Sequence, residues 1–309
     1  MRLLLLSLPL ATVTLLLSGC AGRDTPAERS ALQGESPSDR ERTAMKAMTA
    51  LEEALERASQ RRGAEREEAE RNLGDRVEQV AALCQGTRLE NKAWYLLASW
   101  RFQYGPAGEG ALDALDRLDR CPLPTLKQTG RALRAQVLCR QDRVPAARRL
   151  AEAVVADIPQ FQPVLDLVNL MDRRGGPAPD LPGLTRPAKP VLLIIAANDG
   201  EDTRYRLERL LAREDTRTWT PLLVMFDASP TALRDLPSVL NRPDLITARP
   251  RTPTEVTAWQ LAWTPPSEFL VSAIAADGTL LATNLRVDDA LPNPVPVTTI
   301  PATMPAAAP

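Results

Sequence analysis

At Gly175-Gly176-Pro177 the spacing of apolar residues changes, and that change decides what this chain can fold into. Before it, apolar positions recur every three or four residues, as on a helix buried along one face; after it, short apolar runs alternate with helical stretches. A helical spacing cannot be laid into a sheet without turning half of its apolar side chains to the wrong face. Two architectures are therefore expected, with a boundary between residues 174 and 175. The tripeptide supports this, because two glycines and a proline neither continue a helix nor sit in a central strand.

In the first half, Met45, Met48, Leu51 and Leu55, followed by Ala69, Leu73, Val77, Val80 and Cys84, predict a helical hairpin over Arg40 to Gln85. Between them Arg61 to Arg71 is almost continuous alternating charge, the pattern of a solvated helix face with Glu–Arg pairs at i,i+4. Helices follow at Glu90 to Gln103, Gly110 to Arg120, Thr125 to Gln141 and Pro145 to Asp157, with a closing helix from Pro163 to Arg173. Ala111-Leu115-Leu118 recurs as Ala147-Ala151-Val154, thirty-six residues on. This resembles the tetratricopeptide repeat, whose period is about 34.

The resemblance covers Glu90 to Pro159 as two degenerate units, and the consensus tryptophan and glycine are missing from the second. It implies close helix crossings at Ala98 with Ser99, Ala111, Ala135 and Ala147. It also implies a concave, peptide-binding groove at Leu96, Trp100, Gln103 and Tyr104, then Ala132, Gln136, Cys139 and Arg140. Trp and Tyr suit such a face because each joins a large apolar body to a polar handle. In a chain only 4% aromatic, Trp94, Tyr95, Trp100 and Phe102 read equally well as core.

The second half predicts strands at Val191 to Ala197, Trp219 to Asp227, Leu245 to Arg249, Phe269 to Ala275 and Thr279 to Leu285. Helices are predicted at Asp202 to Arg213, Thr231 to Leu240 and Thr254 to Trp263, with a turn at Asp277-Gly278. That order implies a mixed sheet with helices packed on it. With Ala178-Pro179-Asp180-Leu181 ahead of the first long strand, and Pro266 shortly before Phe269-Leu270-Val271, it resembles the thioredoxin-like fold of thiol-disulfide oxidoreductases and peroxiredoxins. The resemblance makes Pro266 the candidate cis-proline and places the family's cysteine motif on Ala197-Asn198-Asp199-Gly200-Glu201-Asp202. No cysteine follows Cys139, so the redox chemistry has no residue to carry it. Asn198, Asp199, Glu201 and Asp202 are candidate cation ligands, but acidic residues at a helix start are also what capping and the helix dipole favour, and no metal is predicted.

At the N-terminus Arg2 precedes an apolar stretch, Leu3 to Leu17, shorter than the ~20 residues a spanning helix needs. It ends in Leu17-Ser18-Gly19-Cys20, which resembles the lipobox of bacterial lipoproteins. The resemblance implies cleavage before Cys20, lipid on its thiol and, from Ala21, sorting to the outer membrane with the protein facing the periplasm. The expected organisation is thus a signal peptide (1–19), a tether (20–39), a helical domain (40–174), a thioredoxin-like domain (175–289) and a Pro/Ala-rich tail (290–309) without charge. Of the remaining cysteines, Cys121 and Cys139 fall on neighbouring repeat helices and form the candidate disulfide; three buried free thiols, Cys84 included, are the alternative.

Histidine is absent and the net charge is -1, which removes Ser-His-Asp and Cys-His catalysis, His-ligated zinc and an electrostatic case for nucleic acid. The reading is a lipid-anchored envelope scaffold that holds a protein partner, with no cofactor and no catalytic residue. The alternatives are a redox protein using a cysteine of the helical half and a glycan-binding lipoprotein stacking sugars on Trp219, Trp259 and Trp263.

Overall fold

A computed structural model describes residues 39–105, 108, 110–263 and 269–294. A helical part runs to Asp172 and a mixed α/β part begins at Val191. Cys20, most of the tether, Pro266 and the tail beyond Pro294 lie outside the described residues.

Helix α1 (Asp39–Ser59) buries Ala44, Met48, Leu51, Leu55 and Ala58, the three-and-four spacing of one apolar face. The expected second arm of the hairpin is divided into α2 (Gly63–Arg71) and α3 (Gly74–Cys84). Then come α4 (Glu90–Tyr104), α5 (Ala111–Leu118), α6 (Pro124–Arg140), α7 (Val144–Asp157) and α8 (Gln162–Asp172). Proline opens α6 and stands in the first turn of α7, where its missing N–H leaves no bond unmade.

From α3 onward each helix of this part packs on the next, and α6 belongs to two layers. Its Leu126, Leu133 and Val137 join the core of α1, α3, α4 and α5, and its Ala132, Ala135, Leu138 and Cys139 join that of α7 and α8. Ala98, Ala111, Ala135 and Ala147 are fully buried.

The sheet holds β1 (Val191–Asn198), β2 (Thr220–Asp227), β3 (Ile246–Ala248), β4 (Phe269–Ile274) and β5 (Leu280–Thr283), in the order β3-β2-β1-β4-β5. β2 runs parallel to β1 and to β3, whereas β4 is antiparallel to β1 and to β5. Helices α9 (Glu201–Leu211), α10 (Pro230–Val239) and α11 (Pro253–Trp263) cover it.

Both faces of the central strand are buried. Leu192, Ile194 and Ala196 meet Leu207 and Leu210 of α9 and Leu233 and Leu236 of α10. Val191, Leu193 and Ile195 meet Trp259 and Trp263 of α11 on the other face. Each such aliphatic side chain contributes ~1.5–3 kcal/mol on burial, which is why this strand reads as a continuous apolar run. The last hairpin turns at Asp277-Gly278, with Gly278 at φ +92° and the Asp277 carboxylate accepting the Thr279 N–H at 2.9 Å. A bulge between Ala273 and Ile274 fixes its register at Ser272↔Thr283.

The join between the parts is itself structured. Gly175 N–H donates to the Leu280 carbonyl and Leu280 N–H to the Gly176 carbonyl, both at 2.9 Å, and Leu170 of α8 enters the sheet core beside Ala178 and Leu181. Among the described residues no helix is long and apolar enough to cross a membrane.

Candidate functional site

The N-terminus of α9 is where the resemblance to thioredoxin-like proteins would put a cysteine motif. Here the Asn198 carboxamide oxygen accepts the Gly200 N–H at 2.9 Å, and Glu201 and Asp202 occupy the first turn, where the positive end of the helix dipole favours them. Asp202 does more than complement its own helix. One carboxylate oxygen accepts the N–H of Gly63, the first residue of α2, at 2.6 Å, and the other accepts from Arg66 at 2.9 Å. Helix α2 has no side-chain cap of its own, so its N-terminal cap comes from the other half of the molecule.

From Arg66 the contacts run inward. Its Nε donates to Glu70 at 3.0 Å, and Glu70 is only 2% exposed. The second Glu70 carboxylate oxygen accepts the Tyr104 hydroxyl, and its backbone carbonyl accepts the Trp100 indole N–H at 3.2 Å. Burial opposes the Arg66 charge, but Glu70 first and Asp202 next outweigh it and raise its pKa. Burial, then the charges of Glu70 and Glu67, push the Tyr104 phenol well up, so it remains a donor.

Two more arginines cross the seam between the halves. Arg209 of α9 pairs with Glu67 of α2 and with Asp288 beyond β5. Arg286 donates to the carbonyls of Phe102 and, at 3.1 Å, of Gly105 at the end of α4; burial lowers its pKa, with Asp289 and Asp288 partly offsetting.

This geometry corrects the open-groove expectation. Leu96, Ala132, Gln136 and Cys139 are buried in the helical core. Trp100 and Tyr104 are engaged by Glu70, Gln103 donates to the Tyr104 hydroxyl at 3.0 Å, and Arg140 donates to the Phe102 carbonyl at 2.7 Å while lying 4.2 Å over its ring. Helix α2 and Phe102 supply the partners of Trp100, Tyr104 and Arg140. The Arg61 to Arg71 run is likewise more than a solvated face: its i,i+4 pairs Arg66–Glu70 and Arg71–Glu67 form, yet Arg66 and Glu67 also reach across to α9.

Cys84, Cys121 and Cys139 are free and buried, so the Cys121–Cys139 bridge is not made; Cys121 packs in the first helical core and Cys139 in the second. Burial pushes the thiol of Cys84 up to about 11 and that of Cys139 to about 12, away from a reactive thiolate. Trp219, Trp259 and Trp263 are buried, with the Trp263 indole donating to the Asp180 carbonyl at 2.9 Å, so none offers a face to a sugar. Among the described residues no three His, Cys, Asp or Glu side chains are grouped to hold a metal ion.

Sequence reasoning missed Glu70, Arg209 and Arg286. For Glu70 a signal existed: it stands three, four and seven residues before Leu73, Gly74 and Val77, a charge in phase with an apolar face. Nothing local marks the two arginines. Comparison with protein-family models, with curated proteins and with solved structures finds no match to this chain.

Proposed function

We propose that the protein is a lipid-anchored scaffold of the bacterial envelope that holds a protein partner and performs no redox chemistry of its own. The observation that carries this reading is the use made of the α9 N-terminus. On a thioredoxin-like reading, which the order and directions of β1, β2, β4 and β5 favour, this is the place for a nucleophilic cysteine. Here it presents Asp202, which holds α2 instead. The thiols elsewhere are buried and high in pKa, which weighs against a substitute nucleophile.

The anchor rests on Leu17-Ser18-Gly19-Cys20, and the scaffold role on helices stacked side by side, an architecture whose outer surface is large for its core. Two measurements test the reading. Insulin reduction and peroxide consumption by the mature protein should both stay at the level of buffer, and turnover in either assay would overturn it. Cross-linking in intact envelopes should capture a defined protein with the wild-type chain.

A further inference from the structure

We infer that the α2–α9 seam is an electrostatic latch, and that the two halves open there about the linker at residues 173–177. The inference does not depend on the scaffold reading. It rests on a contrast between the two sides of the joint.

On the linker side the halves share apolar core and backbone bonds: Leu170 packs with Ala178 and Leu181, and Gly175 and Gly176 are hydrogen-bonded to Leu280. On the seam side no buried apolar cluster contains residues of both α2 and α9 among those described. Apart from Tyr205 of α9, which lies against Gly63, what holds it is charge. Arg66–Asp202 is 2.9 Å long with side chains 20% and 32% exposed, Arg209–Glu67 is 30% and 27% exposed, and Arg62–Glu201 is looser at 3.8 Å. Arg286 adds its bonds to the Phe102 and Gly105 carbonyls.

Partly exposed pairs of this kind are weakened by salt, whereas the apolar side is not. Glu70, Tyr104 and Trp100 all belong to the helical half, so opening leaves their contacts intact. It uncovers the first turn of α9 and the C-terminal end of α4. The latch therefore responds to ionic strength, and to any charged surface that competes for Arg66 and Arg209.

The test uses the full chain, taken from about 0.1 M to about 1 M sodium chloride, which shortens the screening length from about 10 Å to about 3 Å. The expected result is exchange of the amides at 63–71 and 201–204 accelerated by about tenfold or more. The sheet and linker amides should be unchanged, and the radius of gyration from small-angle scattering should increase. The double variant Arg66→Gln, Arg209→Gln should show the open state already at low salt. Arg148→Gln, which removes a pair with Asp172 inside the helical half, should behave as wild type. Faster exchange confined to α2 with an unchanged radius, a uniform response or none overturns the latch. Should the double variant not fold, the wild-type salt series decides alone.

Discussion

Replacing Glu70 with alanine removes a carboxylate from a site where only 2% of the residue reaches solvent, and leaves the Tyr104 hydroxyl without its acceptor and Arg66 with half of its counter-charge. Breaking a buried pair in this way should cost about 3 kcal/mol. Arg71→Ala, at the next position, removes a pair whose arginine is 58% exposed and should cost under about 0.5 kcal/mol. Urea unfolding of the two variants separates these values. Gly74 gives a prediction of opposite sign to propensity. Alanine in place of a helical glycine ordinarily gains ~1 kcal/mol, but a Cβ on Gly74 would overlap the Trp100 ring, so Gly74→Ala should destabilise by ~1–3 kcal/mol. The buried thiols set a pH limit. Burial pushes the Cys84 thiol up to about 11 and the Cys139 thiol up to about 12, from an ordinary 9.0, so above about 9 the unfolded chain releases these protons first. Stability present below pH 9 should fall as pH rises through the folded values, and a variant with both cysteines replaced by alanine should show a shallower alkaline slope in the same unfolding series.

At the scale of elements, the β4–β5 hairpin contains a buried hydroxyl pair, Ser272 with Thr283 at 2.7 Å, directly opposite one another in register. Ser272→Ala alone should cost ~1–3 kcal/mol by leaving the Thr283 hydroxyl unsatisfied, whereas Ser272→Ala with Thr283→Val should be close to neutral; thermal unfolding of both variants checks the reversal. Elements of this kind were largely legible in the sequence. The expected helix at Glu90 to Gln103 is α4 at Glu90–Tyr104, and the expected strand at Val191 to Ala197 is β1 at Val191–Asn198, because spacing and strand length are local properties. The division of α2 from α3 was not legible. It goes with Trp100, which packs against Gly74 at the start of α3 and bonds the Glu70 carbonyl near the end of α2, from another helix. The burial of Leu96, Ala132, Gln136 and Cys139 was hidden for a related reason: apolar spacing marks which side of a helix faces inward, but not which distant segment lies against it.

For the molecule as a whole, the lipid-anchor proposal predicts that Cys20→Ser abolishes palmitate incorporation and leaves an uncleaved or mislocalised precursor, read by labelling and fractionation. Unchanged labelling and fractionation would remove the anchor. The linker carries a consequence for how the halves can be separated. Gly175 and Gly176 bond to Leu280 at the outer edge of β5, and Pro177 bridges to Thr279, so the stretch that joins the halves also covers the start of that edge. Cleavage after Gly176 would strip the Leu280 N–H and C=O of their partners and bare a strand edge able to recruit the same edge of another copy. Cleavage between Asp172 and Gly175 would leave it covered. Whether the isolated α/β half stays monomeric or self-associates is thus decided by two glycines at its border.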